Sequence, residues 1–207
     1  MSSLTLNLSK PGDAAPKLAL NLNKGERFRV RLAWEGSNDL DLHALLCVNA
    51  GSGAKAASFG DILSTYNVRR RIGGQEVGTL IPAADGSFSI HGGALKHSPD
   101  ARDGDQLEID EWLEIDPAAL TPPANGTLEI PLVAMIHPQS SGLCFRDVRQ
   151  ATVIVETASG QPLLRVALGH EFGEFIGVQM GSIVVSQGRA EFVAIGVGFN
   201  AVLAHFS

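Results

Sequence analysis

The chain has 207 residues, 44% of them hydrophobic, with a formal net charge of -6. That is enough apolar material for one core, and a single domain spanning 1–207 is expected. Two cysteines are too few for a disulfide scaffold, and Cys47 and Cys144 each stand alone among apolar neighbours, which excludes a zinc ribbon or CxxC redox site and reads as two buried reduced thiols.

The first residues, Met1 to Asn7, show no basic stretch followed by an apolar one, so a cleaved secretory signal is not expected and cytoplasmic residence is. Apolar residues then alternate with polar ones in Leu4–Leu8 and again in Leu18–Leu22, with Pro11-Gly12-Asp13 as a turn between them. This period of two predicts strands, and residues 1–24 read as an N-terminal hairpin. Phe28, Val30, Leu32 and Trp34 alternate with Arg27, Arg29, Arg31 and Ala33, predicting a strand with one apolar and one basic face.

Further strands are predicted at 42–48, 77–81, 87–90, 113–115, 128–136, 152–156, 163–167, 175–185 and 191–197, separated by Gly, Pro, Asn and Asp. A short helix is predicted around 143–150. Long amphipathic helices alternating with strands are missing, which argues against a parallel α/β fold and for an all-β, two-sheet β-sandwich with one or two short helices. The most apolar stretch, 192–206, is interrupted by Gly196, Gly198, Asn200 and His205, so no integral membrane segment is expected.

Charge is concentrated in one place. Between Asp100 and Asp116 lie eight acids against the single Arg102, while the remaining 190 residues carry 14 acids and 15 bases. Such a run repels nucleic acid phosphate and favours a bound cation or a solvated loop. Upstream, Asn38-Asp39-Leu40-Asp41-Leu42 sets two carboxylates at i and i+2, on one face of a strand whose other face is apolar. Two like charges on one face ask for a cation between them, and hard oxygen donors suit Ca²⁺ or Mg²⁺. An EF-hand register starting at Asp100 places Glu111 at position twelve but Arg102 at three and Asp105 at the turn position that wants Gly, so that motif fails.

Enzyme motifs are missing. There is no Gly-x-Ser-x-Gly, His-Glu-x-x-His or phosphate-binding Gly-x-x-x-x-Gly-Lys sequence, and the Gly196-Val-Gly198 match to a dinucleotide fingerprint has no room for the helix and strand that the mechanism requires. The six histidines lack ligand-like spacing; His97, which precedes the acidic run, and His137, which ends an apolar strand, stand out.

Several landmarks in order resemble the TerD family of tellurium-resistance and stress proteins: Asp39-Leu40-Asp41, Tyr66-Asn67, His97-Ser-Pro-Asp100-Ala-Arg102-Asp-Gly104, Asp110-Glu111, Ile136-His137, Phe145-x-x-Val148-Arg149, and Glu191-Phe192 through Gly198-Phe199. The opening strand and Leu32-Ala33-Trp34 are also similar to the TerA branch. The resemblance implies a non-enzymatic β-sandwich that binds Ca²⁺ through Asp39, Asp41, Asp100, Asp110 and Glu111, with Asn67 as a carbonyl ligand. Other proteins of the same resistance system are the implied partners, with a sensor or scaffold role. One departure stands out: Asp105-Gln106-Leu107-Glu108-Ile109 occupies the place of a Gly-Asp-rich ligand loop. A metal-independent assembly module that docks through the acidic segment 100–116 is the alternative.

Overall fold

A computed structural model describes residues 26–101, 111–140, 142–168, 172–186 and 189–200, together with the backbone of 4–5 and 17–20. In chain order the strands are β1 (Leu4–Thr5), β2 (Lys17–Leu20), β3 (Phe28–Glu35), β4 (Leu40–Leu45), β5 (Cys47–Asn49), β6 (Ala54–Lys55), β7 (Ile62–Leu63), β8 (Arg70–Ile72) and β9 (Gln75–Val77). They continue with β10 (Phe88–Ile90), β11 (Leu95–His97), β12 (Glu111–Ile115), β13 (Thr127–Ile136), β14 (Arg149–Thr157), β15 (Pro162–Ala167), β16 (Gly177–Ser186) and β17 (Arg189–Phe199).

One sheet runs β1-β15-β14-β3-β12-β11-β10 and the other β2-β17-β16-β13-β4-β7, with β5 pairing β13 and β6; β8 and β9 form a separate two-stranded ribbon. The inward residues of both sheets, among them Phe28, Leu32, Leu42, Leu113, Ile130 and Ile183, make one buried core. The result is the expected all-β sandwich. Its helical content among the described residues is confined to single 3-10 turns.

Strand parity explains much of the burial. In β3 buried and half-buried residues alternate without a break, so Phe28, Val30, Leu32 and Trp34 face the core and the arginines face outward. In β12, Glu111, Leu113 and Ile115 are buried while Trp112 and Glu114 are not. The outward arginines find acids: Arg27 contacts Glu114 at 2.8 Å and Asp116 at 3.2 Å, Arg31 contacts Glu156 at 3.1 Å, and Arg29 lies 5.0 Å over the Trp112 ring. Part of the acidic run is thus neutralised by the basic face of β3.

Three expectations are corrected. The helix around 143–150 is one 3-10 turn, Phe145–Asp147, after which Arg149 already belongs to β14. The described parts of the N-terminal segments pair elsewhere than with each other: Leu4–Thr5 lies parallel to β15, whereas Lys17–Leu20 pairs with β17 in the other sheet. Both alternate in sequence, and alternation names a strand without naming its partner. Of the 77–81 strand only Val77 lies in a strand, and Leu80 forms an isolated bridge with Val68. Cys47 is buried as expected, but Cys144 is half-buried, with Arg146 Nε 3.1 Å from its sulfur.

Candidate metal centre

β3 lies in one sheet and β4 in the other, so the chain crosses the sandwich between them, at Gly36–Asp39. Gly36 turns with φ +111°. The crossing is pinned where Trp34 Nε1 donates to Asn38 O at 2.7 Å and Asn38 Nδ2 donates to Asp147 O at 3.3 Å. β4 then pairs with β13, Leu40 with Ile136 and Asp41 with Met135. One step earlier the ladder continues as His137 N donates to Asp39 O at 2.8 Å, which leaves His137 Nδ1 3.6 Å from Asp39 Oδ2. Leu40 and Leu42 fill the core while Asp41 and His43 share the opposite face, and all four are buried.

The acidic loop leaves from β11 and returns as β12. The register His97 with Leu113, continued by Ser98 N donating to Trp112 O at 2.9 Å, brings Asp100 and Glu111 together at the base of the loop. Glu111 occupies an inward position and reaches the other sheet, where its Oε2 accepts from Leu42 N at 2.6 Å. His97 Nε2 contacts Leu42 O at 2.8 Å, so two side chains serve the edge of β4 where β7 does not reach. His97 Nδ1 meets a second carbonyl, Ser98 O, at 2.8 Å. Burial lowers the His97 pKa, and the two carbonyl contacts and Asp100 push back.

Asp41, Asp100 and Glu111 each place a carboxylate oxygen within 4.8 Å of the others, with Asp41 and Glu111 buried and Asp100 exposed. Asp41 Oδ1 accepts from the Thr65 hydroxyl at 2.8 Å, and Thr65 is set by a 3-10 turn whose cap, Ser64 Oγ, accepts from Tyr66 N at 3.1 Å. The other oxygens, Asp41 Oδ2 and Glu111 Oε1, are buried and accept no hydrogen bond of ordinary length. Burial, with Asp39 and Asp100 adding to it against the Thr65 hydrogen bond, pushes Asp41 up to about 7. Burial, then the Asp41 charge, raises Glu111 well above the carboxylate range. His43 is pushed down to about 3 by burial and is therefore neutral.

The cluster opens into a cavity of about 470 Å³, lined by Asp39, Asp41 and Asp100 together with Tyr66, Arg70 and His137. Tyr66 stacks on His137 at 5.4 Å and meets His43 edge-on at 5.5 Å. Burial and the Asp41 charge raise its hydroxyl pKa.

Of the residues predicted from sequence, Asp41, Asp100 and Glu111 converge, and Asp39 lines the same cavity. Asp110 lies outside the described residues. Asn67 does not join them, because its side chain is spent on structure. Its Nδ2 donates to Phe59 O at 2.6 Å and Ile62 O at 2.9 Å, and its Oδ1 accepts from Thr79 N at 3.1 Å and Thr79 Oγ1 at 3.0 Å. Thr65 and Arg70 had no signal in the sequence, since neither type marks a ligand site by itself.

Fold and site together define a two-sheet β-sandwich with a carboxylate pocket between its sheets. The TerD domain family matches residues 87–207, more than half of the chain, and the chain belongs to that family. Asp100 and Glu111 lie inside the matched span, Asp39 and Asp41 before it. Among solved structures, a homologue of telluride resistance protein (TerD), SCO6318 from Streptomyces coelicolor A3(2), superposes with a TM-score of 0.63 at 16% identity, covering 88% of this chain and 95% of that one. A protein of unknown function, SAV2460, superposes with a TM-score of 0.63 at 14% identity, covering 89% of this chain and 95% of that one. At such identities the likeness is one of fold. No curated protein matches the chain. Among the described residues no helix is long and apolar enough to cross a membrane.

Proposed function

We propose that this protein is a non-enzymatic cation-binding sandwich in which Asp41, Asp100 and Glu111 hold one Ca²⁺. We place it in the cytoplasm as a sensor or scaffold of a tellurium-resistance or stress-response system, with other proteins of that system as partners. The observation that carries the reading is the pair of buried carboxylates, Asp41 and Glu111, which raise each other's proton affinity from opposite sheets and each keep one oxygen, Asp41 Oδ2 and Glu111 Oε1, without a hydrogen bond of ordinary length. A buried anion needs a partner or must take up a proton. A divalent ion supplies the missing positive charge to both carboxylates.

The donor set favours calcium. All donors are carboxylate oxygens, and oxygens on opposite sides of a Ca²⁺ ion stand roughly 4.6–5.2 Å apart, against about 4.2 Å for Mg²⁺. Oxygens within 4.8 Å of one another admit either ion, and Ca²⁺ is the one that accepts an irregular carboxylate set where Mg²⁺ demands near-ideal octahedral geometry. Asp39 lies near enough to Asp41 to raise its pKa, and it would act on the ion through its charge.

The alternative, docking of a basic partner on the acidic segment, loses part of its charge, because Glu114 and Asp116 already face Arg27 and Glu111 is buried. The test is calorimetric titration of chelator-treated protein with Ca²⁺. One site per chain is expected, abolished in Asp41→Asn; heat with neither Ca²⁺ nor Mg²⁺ at millimolar concentration would remove the cation from the account.

A further inference from the structure

Among the described residues the ribbon β8–β9 pairs only with itself, and Arg70, Arg71, Ile72, Gln75 and Glu76 are all exposed. Its tip turns at Gly73 (φ +59°) and Gly74 (φ +87°). Its base is held where Thr79 N and Leu80 N both donate to Asn67 O, at 2.8 and 2.9 Å. At the base Gly78 has φ +78°, and a Cβ there would stand 2.5 Å from Val68 O, so the chain passes too tightly for any other residue.

Strand parity gives the ribbon two faces. Arg70 and Ile72 line the carboxylate cavity, while Arg71 points away from it. Arg70 is the one residue with a permanent positive charge among the cavity-lining residues described. Its Nη1 donates to Thr65 O at 3.0 Å, and the hydroxyl of the same Thr65 donates to Asp41 Oδ1 at 2.8 Å. Thr65 is therefore held at one end by the ribbon and at the other by a carboxylate of the trio.

We propose that Arg70 is a tethered counter-ion of the cavity, that it and the bound cation oppose each other, and that cation occupancy loosens the ribbon β8–β9 from the sandwich. The proposal rests on the cation reading above and adds its regulation. In the cation-free protein the guanidinium offsets the charge of Asp39, Asp41 and Asp100. A divalent ion takes over that role and repels the guanidinium. Among the described residues the ribbon joins neither sheet, and apart from Arg70 its anchors lie at its base, where residues 67–69 bond Thr79 and Leu80. A site with a built-in competitor fills only when the cation concentration is high enough to displace it, and the displaced element is a mobile, basic surface that reports the event.

The experiment is Ca²⁺ titration of the full chain, of Arg70→Gln and of Arg70→Lys, with amide hydrogen exchange of residues 69–78 in the unsubstituted protein with and without Ca²⁺. Arg70→Gln is expected to bind Ca²⁺ about tenfold tighter, the size of the repulsion of a unit charge from a divalent one across a water-lined cavity. Arg70→Lys is expected to stay within about twofold of the unsubstituted protein, and the ribbon amides to exchange faster with Ca²⁺. Unchanged or weaker binding by Arg70→Gln, or ribbon exchange that Ca²⁺ leaves unchanged or slows, overturns the proposal while the cation site stands. No Ca²⁺ binding by the unsubstituted protein overturns the cation reading itself, and this proposal with it.

Discussion

Glu111, on one sheet, accepts a hydrogen bond at 2.6 Å from the amide of Leu42, on the other. The contact ties the sheets together and leaves one carboxylate oxygen without a hydrogen bond of ordinary length. Glu111→Gln keeps an acceptor for the amide and removes the buried charge. The cation-free variant is expected to be more stable by about 1–2 kcal/mol, a few degrees in Tm, yet to lose the rise in Tm that Ca²⁺ produces. Thermal denaturation with and without the ion checks both halves. A variant that kept the full calcium response would remove Glu111 from the site.

Asp41 makes stability depend on pH. Its folded-state pKa of about 7 lies above its ordinary 3.8, so the folded protein holds this proton more tightly than the unfolded chain does. Stability from this group is fullest below pH 3.8, falls as pH rises through 7 and is level above it; Glu111 shifts in the same direction. Chelator-treated protein is expected to melt lower at pH 8 than at pH 5. Since Ca²⁺ must displace the proton of Asp41 and also that of Glu111, its affinity is expected to rise with pH by at least about tenfold per unit below 7. A flat affinity profile between pH 5 and 7 would contradict the role given to Asp41.

The two aspartates of the Asp-Leu-Asp strand are expected to differ in weight. Asp41→Asn abolishes calcium binding, because Asp41 is buried and belongs to the converging trio, with one oxygen that accepts no hydrogen bond of ordinary length. Asp39→Asn weakens binding by about three- to tenfold, since Asp39 lies outside the trio, beside His137, and acts through its charge. Equal losses in the two variants would instead make Asp39 a direct ligand.

Asn67 separates structure from site. Its side chain makes four hydrogen bonds that join Phe59, Ile62 and Thr79. Asn67→Ala is expected to cost about 2–4 kcal/mol of stability with one calcium still bound per chain. Denaturant unfolding gives the first quantity and calorimetry the second; loss of calcium from a folded Asn67→Ala protein would return Asn67 to the ligand set.

The strands were legible because half-buried sheets write their parity into the sequence, as Phe28 to Trp34 show. Pairing was not, because Leu4–Thr5 and Lys17–Leu20 have the same local pattern and opposite destinations. The carboxylates were found as residue types whose charge asks for a partner. Their grouping depended on the crossing between β3 and β4 and on the β11–β12 register, neither of which local sequence encodes. The clamping role of Asn67 was not legible, because an amide that clamps loops and one that binds a metal look alike in sequence. Arg70 went unnoticed because its meaning comes from the cavity that the ribbon covers.

The acidic run of β12 is sorted by position alone: Glu111 inward to the cavity, Glu114 outward to Arg27 and Arg29. Its chemistry is therefore written in a reading frame of two. Removing one residue between Glu111 and Leu113 would leave the composition almost intact and exchange the two faces, sending Glu111 to the solvent. Chains of nearly identical composition could thus differ completely in whether they carry this site, and an inventory of acidic residues would not tell them apart.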